Sequence, residues 1–329
     1  MVSAHITPPR PPGHACPLPL RVGTRGSPLA LWQTRFFLSR LSGFCPVLRG
    51  MDVFEEHAIR TTGDATQAAG TRLADIGGKG LFAKEIHEAL LDRRIDFAVH
   101  SLKDLETELP AGIVLACTLV REDARDAVIL GGASVGNDWL AGLPQGALVG
   151  TSSLRRQAQL LHRRPDLRCA TIRGNVASRI ERVRQGDFVA TLLALAGMKR
   201  LGLEGEAAAV LDPEFMLPAA CQGIVGITVR GDDLELRSLL AAIEDADARD
   251  VSRAERALLA ALDGSCRTPI GGYARLLDDG RLHLTGLVAR ADGSFLLRRS
   301  LVGDREDAMR LGRELGASLR ADTPRDILG

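Results

Sequence analysis

The sequence predicts an α/β protein in which two strand–loop–helix units precede a smaller α+β unit. Three observations predict it. Between about residues 20 and 220, short apolar strands run into polar loops and then into stripes of helical spacing. After Arg230 that style ends, and the later apolar runs are divided by Asp278-Asp279-Gly280 and Asp292-Gly293, which are hairpin turn signals. At 329 residues the chain also exceeds the size of one ordinary core, so two or three domains are expected.

The first strand falls around Leu20 to Gly23 and leads through TRGS into a helix from about Pro28 to Leu41. Ser27 can cap that helix, and Pro28 occupies the first helical position, where its missing N–H costs nothing. Leu31, Thr34, Leu38 and Leu41 supply the buried side. Phe82, Ile86 and Leu90 mark a second helical stripe, followed by the strand IDFAV and by His100-Ser101-Leu102-Lys103-Asp104 at its end. A glycine-rich loop, GGASVGNDWLAGLPQG, then separates the units. In the second unit ALVG leads to a helix capped by Ser152 or Ser153, LRCATI leads through RGN to a helix bearing Val176, Ile180 and Val183, and FVATLL forms a further strand. The last unit reads as a helix over SRAERALLAALDG, strands around Tyr273–Leu277, Leu282–Leu287 and Phe295–Leu297, and a closing helix from Glu306 to Leu319.

Composition narrows the function classes. Hydrophobic residues at 45% and charged residues at 25% fit a globular chain, and a formal net charge of +1 gives no bulk attraction to nucleic acid or to an acidic membrane. The stretch Phe188–Met198 is too short for a bilayer span, which needs about 20 residues. Residues 1–19, with two Pro pairs and no continuous apolar segment, read as a flexible leader. Six cysteines without C-x-x-C spacing signal neither a zinc site nor a disulfide frame, so no metal and a reducing, cytoplasmic setting are expected. The glycines of GGKG and TRGS match neither G-x-G-x-x-G nor the P-loop.

Chemistry concentrates at strand ends. Arg25, Arg155, Arg156, Arg173 and Arg179 lie in or beside strand-to-helix loops and Lys103 sits at a strand end, places where helix N-termini and guanidinium forks favour carboxylates or phosphates. Several such places imply a ligand with many negative groups. Asp104 can stabilise a cation, accept an N–H hydrogen bond or assist proton transfer. Cys266 lies in the polar loop DGSCRTPIGG beside Arg267, a setting that favours thiolate chemistry, whereas Cys221 has an apolar flank and reads as buried. A noncovalent anion-binding or sensory clamp is the alternative that these cations support equally.

An ordered series of segments then identifies a resemblance: VGTRGSPLALWQT (22–34), TTGD (61–64), GGKGLFAKEI (77–86), DFAVHSLKD (96–104), REDARDA (121–127), VGTSSLRRQAQL (149–160), RGNVASRI (173–180), LAGMKRLGL (195–203) and DGSCRTPIGGYA (263–274). Together they resemble the hydroxymethylbilane synthase (porphobilinogen deaminase) family. The resemblance implies two type II periplasmic-binding-protein-like α/β domains, residues 20–119 with 217–238 and residues 120–216, followed by an α+β domain over 239–329.

It also implies a transferase of tetrapyrrole and heme biosynthesis. Such an enzyme deaminates porphobilinogen and joins four units on a dipyrromethane cofactor, and the growing polypyrrole chain is released as hydroxymethylbilane. By the same resemblance Cys266 bears the cofactor through a thioether and Asp104 is catalytic. Lys103, Asp104, Ser153, Arg155, Arg156 and Arg173 would hold the cofactor. Arg25, Ser27, Lys79, Arg173, Arg179 and Arg200 would meet substrate carboxylates. The resemblance implies a monomer, while the near-neutral charge, the 4% aromatic content and the lack of a long apolar stretch lead us to expect no nucleic-acid or membrane partner. Three positions depart from the family pattern: Glu106 stands where proline is common, Cys221 where glycine is usual, and Val189 where aspartate is frequent.

Overall fold

The computed structural model describes residues 18–45, 48–49, 53–64, 80, 82–132, 138–263 and 268–328. Residues 1–17 of the expected leader, part of the glycine-rich loop, Lys79 and Cys266 lie outside the described residues.

Two five-stranded sheets carry the first part of the chain. The strands are β1 (Leu20–Arg25), β2 (Phe54–Ile59), β3 (Phe97–Ser101), β4 (Ile113–Thr118), β5 (Asp126–Leu130), β6 (Leu148–Gly150), β7 (Arg168–Ala170), β8 (Ala190–Ala194), β9 (Ala209–Val210) and β10 (Val225–Arg230). The first sheet runs β2-β1-β3-β10-β4 and the second β7-β6-β8-β5-β9. In each sheet the first three strands are parallel and the fourth is antiparallel to both neighbours, with Val225 opposite Ser101 in one and Asp126 opposite Ala194 in the other. This is the type II periplasmic-binding-protein arrangement that the resemblance implied. Because β5 and β10 each follow a strand of the other sheet, the chain crosses between sheets twice, through 119–125 and 211–224.

The helices follow from local chemistry. Helix α1 (Pro28–Phe44) begins where the Ser27 hydroxyl accepts a bond from Ala30 N, and it buries Phe37, Leu38 and Leu41 against the first sheet. Helix α2 spans Lys84–Leu91, shorter than its apolar stripe predicts. Phe82, the first member of that stripe, is outside the helix and takes a different role below. Helices α3 (Leu154–Arg163) and α4 (Val176–Arg184) are capped by Ser153 and Asn175, which accept bonds from Arg156 N and Ser178 N. Helix α5 covers Leu195–Arg200, and α6 covers Leu234–Ala241.

The last unit packs helices α7 (Ala246–Ala261) and α8 (Ala308–Asp322) on the antiparallel sheet β11 (Ile270–Leu276), β12 (Leu282–Ala289) and β13 (Leu296–Gly303). The third strand and the last helix start and end later than their apolar runs predict, after an extra turn at Arg305–Asp307. Leu102 and Leu105 from the first unit and Ile224 from the second crossing share one core with Val251, Leu258, Leu284 and Leu315. That shared core anchors the turn carrying Asp104. Cys221 is buried as expected, and its φ of 62° lies in the left-handed region, which accounts for the usual glycine at this position.

Candidate active site

Strand β1 ends at Arg25 and strand β3 runs into a 3₁₀ turn, Leu102–Asp104. The ends of neighbouring parallel strands are where open α/β sheets hold ligands. Buried Gln33 of α1 donates to Ser101 Oγ at 2.9 Å, and Leu102 anchors the turn, so Asp104 is positioned from both sides. Its side chain remains 33% exposed, and Arg25 Nη1 approaches its Oδ2 at 3.7 Å.

The second sheet contributes a buried cluster. Arg155 Nη2 and Arg156 Nη2 lie 2.8 Å from the two oxygens of Asp126, which is 0% exposed. The other arms donate to Leu217 O at 2.6 Å and Leu192 O at 2.8 Å. Burial pushes the Asp126 carboxyl up, but the two guanidiniums, with bonds from Arg156 and Gln222, hold it well below the usual carboxylate range. Gln222 joins the halves: it donates to Asp126 Oδ1 at 2.8 Å while its carbonyl accepts from Lys103 Nζ at 3.3 Å.

Lys103 is half-buried as a residue, but its amine is set deep among protein atoms. That burial, with repulsion from Arg156 and Arg155, lowers it to about 8 although Asp104 and Asp126 oppose the shift. Arg179, whose Nε donates to Gly174 O at 2.9 Å, is likewise lowered to about 10 by burial and by Arg156 and Arg173, with Asp104 opposing. The structure therefore groups Arg25, Lys103, Arg155, Arg156, Arg173 and Arg179 around the carboxylates Asp64, Asp104 and Asp126. Among the described residues, six cations against three acids leave this group electropositive.

The remaining nominated residues are placed differently. Ser27 and Ser153 cap helices at the rim, and because each hydroxyl oxygen accepts a backbone N–H, its hydrogen remains available to donate. Arg200 donates to Gly223 O at 2.6 Å on the second crossing, and burial lowers it to about 10 against the pull of Glu122. His100 is buried, shares a 2.8 Å bond with Thr228 Oγ1 and is lowered to about 3, chiefly by burial, so it is neutral at physiological pH.

Sequence reasoning missed Asp126, Asp64, Gln222 and Phe82 as members of this group. Asp64, Phe82 and Asp126 stand in the TTGD, GGKGLFAKEI and REDARDA segments, which are the signals that could have found them.

A two-sheet α/β protein with a cationic cluster at its strand ends is the class these features define. A family model described as "Porphobilinogen deaminase, dipyromethane cofactor binding domain" matches residues 20–238, and one described as "Porphobilinogen deaminase, C-terminal domain" matches residues 248–321. The chain is similar to the porphobilinogen deaminase of Paracoccus denitrificans (strain Pd 1222), with 47% identity over 309 residues covering 94% of this chain and 96% of that one. The porphobilinogen deaminase of Sorangium cellulosum (strain So ce56) is 48% identical over 308 residues, covering 92% of this chain and 99% of that one. Among solved structures, the Bordetella pertussis BvgS VFT2 domain matches at a TM-score of 0.39 and 14% identity, covering 72% of this chain and 91% of that one.

The chain belongs to the porphobilinogen deaminase family. It is an enzyme with hydroxymethylbilane synthase activity, and its cofactor is dipyrromethane. The residues present fit that carboxylate-bearing group. Nε of Arg155 and Nε of Arg156 are buried with no hydrogen-bond partner among the described residues, and an incoming carboxylate would offset the burial, and the lesser repulsion between neighbouring cations, that lower Lys103 and Arg179.

Proposed function

We propose that Asp104 is the catalytic carboxylate and that Cys266 holds the dipyrromethane through a thioether, with Lys103, Asp104, Ser153, Arg155, Arg156 and Arg173 around it. Arg25, Ser27, Lys79, Arg173, Arg179 and Arg200 are assigned to the carboxylates of porphobilinogen and of the growing chain. The observation that carries this reading is the position of Asp104. It is the most exposed of the three described acids, its side chain 33% exposed against 22% for Asp64 and 0% for Asp126, and it lies among cations from both sheets, 3.7 Å from Arg25 and felt by Lys103 and Arg179.

When bound, the cofactor supplies the primer from which the chain grows. The protein's own residues do the rest. Asp104 accepts a pyrrole N–H bond, stabilises positive charge that develops as porphobilinogen loses ammonia, and takes up a proton after each coupling. The guanidiniums neutralise acetate and propionate groups while fixing ring orientation through paired donors.

The same reading divides the chain into 20–119 with 217–238, 120–216 and 239–329, supported by the return of β10 to the first sheet. We place the protein in the cytoplasm as a monomer, without nucleic-acid or membrane partners. The near-neutral charge supports the lack of nucleic-acid and acidic-membrane attraction, and no helix among the described residues is long and apolar enough to cross a membrane.

Denaturing intact-mass measurement followed by peptide mapping tests the attachment. The expected result is an increase equal to two porphobilinogen units less two ammonias, located on the Cys266 peptide and lost in Cys266→Ala. The same adduct on another cysteine would overturn the assignment.

Lys103 provides a second check. As pH rises through about 8 its ammonium loses the charge that attracts carboxylate, so affinity of cofactor-free protein for a pyrrole dicarboxylate weakens on the alkaline side. Loss of one charge-assisted bond corresponds to about tenfold or more. Titration calorimetry at several pH values should show this weakening in wild type and a flat dependence in Lys103→Met.

A further inference from the structure

We infer that Asp64 is a positioning residue that holds the Arg25 guanidinium on its own carboxylate and so keeps it from closing onto Asp104. This rests on the reading of Arg25 as a substrate clamp and Asp104 as the catalytic carboxylate. One guanidinium lies between two acids. Asp64 takes the Nη2–Nε edge, with Nη2 to Oδ1 at 2.5 Å and Nε to Oδ2 at 3.3 Å. Only Nη1 is directed to Asp104, and at 3.7 Å it is beyond hydrogen-bond length.

Asp64 is itself held. Its Oδ2 accepts from Thr61 Oγ1 at 2.8 Å, and its backbone N donates to Thr61 O at 3.0 Å, with Thr61 only 1% exposed. Next along the chain, Thr62 N donates to Glu85 Oε1 of α2 at 2.9 Å, which ties this short turn to the helix. The Phe82 ring lies 4.2 Å from the guanidinium carbon. Arg25 is thus gripped along one edge and covered on one face. The side chains of Arg25 and Asp64 are 18% and 22% exposed, so water screens the pair less than an open surface bridge.

The alternative state is clear from the geometry. Without the Asp64 charge, the bidentate edge of Arg25 turns to Asp104, the other carboxylate beside it. A fork between them would occupy the oxygens that Asp104 must offer to the reacting pyrrole and would remove the arginine from substrate carboxylates. Thr61, Asp64, Glu85 and Phe82 therefore serve the reaction through Arg25, without a contact to the reacting atoms being required of them.

Asp64→Asn tests this in cofactor-loaded enzyme. The expected result is a kcat lowered about tenfold to hundredfold, the scale of a misplaced catalytic group, together with a raised KM as Arg25 leaves the substrate carboxylates, and a melting temperature lowered only slightly because the protein stays folded. Asp64→Glu should restore part of the loss by returning the charge. In an Arg25→Lys background, where no bidentate fork to Asp104 can form, Asp64→Asn should cost much less than in wild type. A crystal structure of Asp64→Asn should show Arg25 and Asp104 drawn from 3.7 Å to hydrogen-bond distance. Wild-type kinetics for Asp64→Asn, or an equal loss in both backgrounds, overturns the inference. Wild-type kcat in Asp104→Asn instead overturns the underlying assignment of the catalytic carboxylate, so the two failures are distinct.

Discussion

Replacing Asp104 by asparagine is expected to lower kcat about a hundredfold to ten-thousandfold, the range for losing a general acid–base group or a preorganised charge, with little loss of stability. The turn that carries it is secured by Leu102 and Leu105 in the shared core and by the Gln33 bond to Ser101, none of which depends on the Asp104 carboxylate. Asparagine keeps the shape and a hydrogen-bond acceptor but loses the charge that opposes a developing pyrrole cation. Ammonia release and hydroxymethylbilane formation, read beside thermal unfolding of the same preparation, provide the measurement. A folded variant with wild-type turnover would remove Asp104 from the reaction.

The opposite outcome is expected a short distance away. Asp126→Ala should destabilise the protein by about 3–5 kcal/mol, the cost of leaving a buried ionic partner uncompensated. Arg155 and Arg156, 5% and 7% exposed, would face one another across the space left by the carboxylate, and the Gln222 amide would lose an acceptor. Urea unfolding read by circular dichroism would measure the change, and wild-type stability would show that the cluster is not held by this pair.

The pH dependence has a definite sign. Asp126 is depressed on folding, so its contribution is fully present above its unfolded value near 3.8 and is lost as pH falls from there toward the much lower folded value. Acid unfolding of wild type should therefore include this cluster, while Asp126→Ala loses that part of the acid dependence.

Much of the architecture was legible because local rules govern it. Ser27 followed by Pro28, and Ser153 before a helical stripe, mark helix starts through the need to satisfy exposed N–H groups. The Asp278-Asp279-Gly280 turn separates two strands that do pair. Strand-to-helix loops marked the general location of Arg25, Arg155, Arg156, Arg173 and Arg179 because backbone polarity and helix dipoles are local properties. The motif series then specified the family, and with it the activity and the cofactor.

The sequence by itself determined which elements form, where their polar ends lie and which reaction family the chain belongs to. Tertiary structure decided which charges meet. Nothing in the spacing of Asp126 foretold that it would sit between Arg155 and Arg156, nor that Gln222 would join it to Lys103 from the other sheet. Periodicity placed Phe82 on a helix face, but the chain enters the helix two residues later and its ring lies beside Arg25. Hydrogen bonding along a chain is short-ranged and leaves a local pattern, whereas ion pairing and burial depend on distances that exist only after both sheets have exchanged strands and packed.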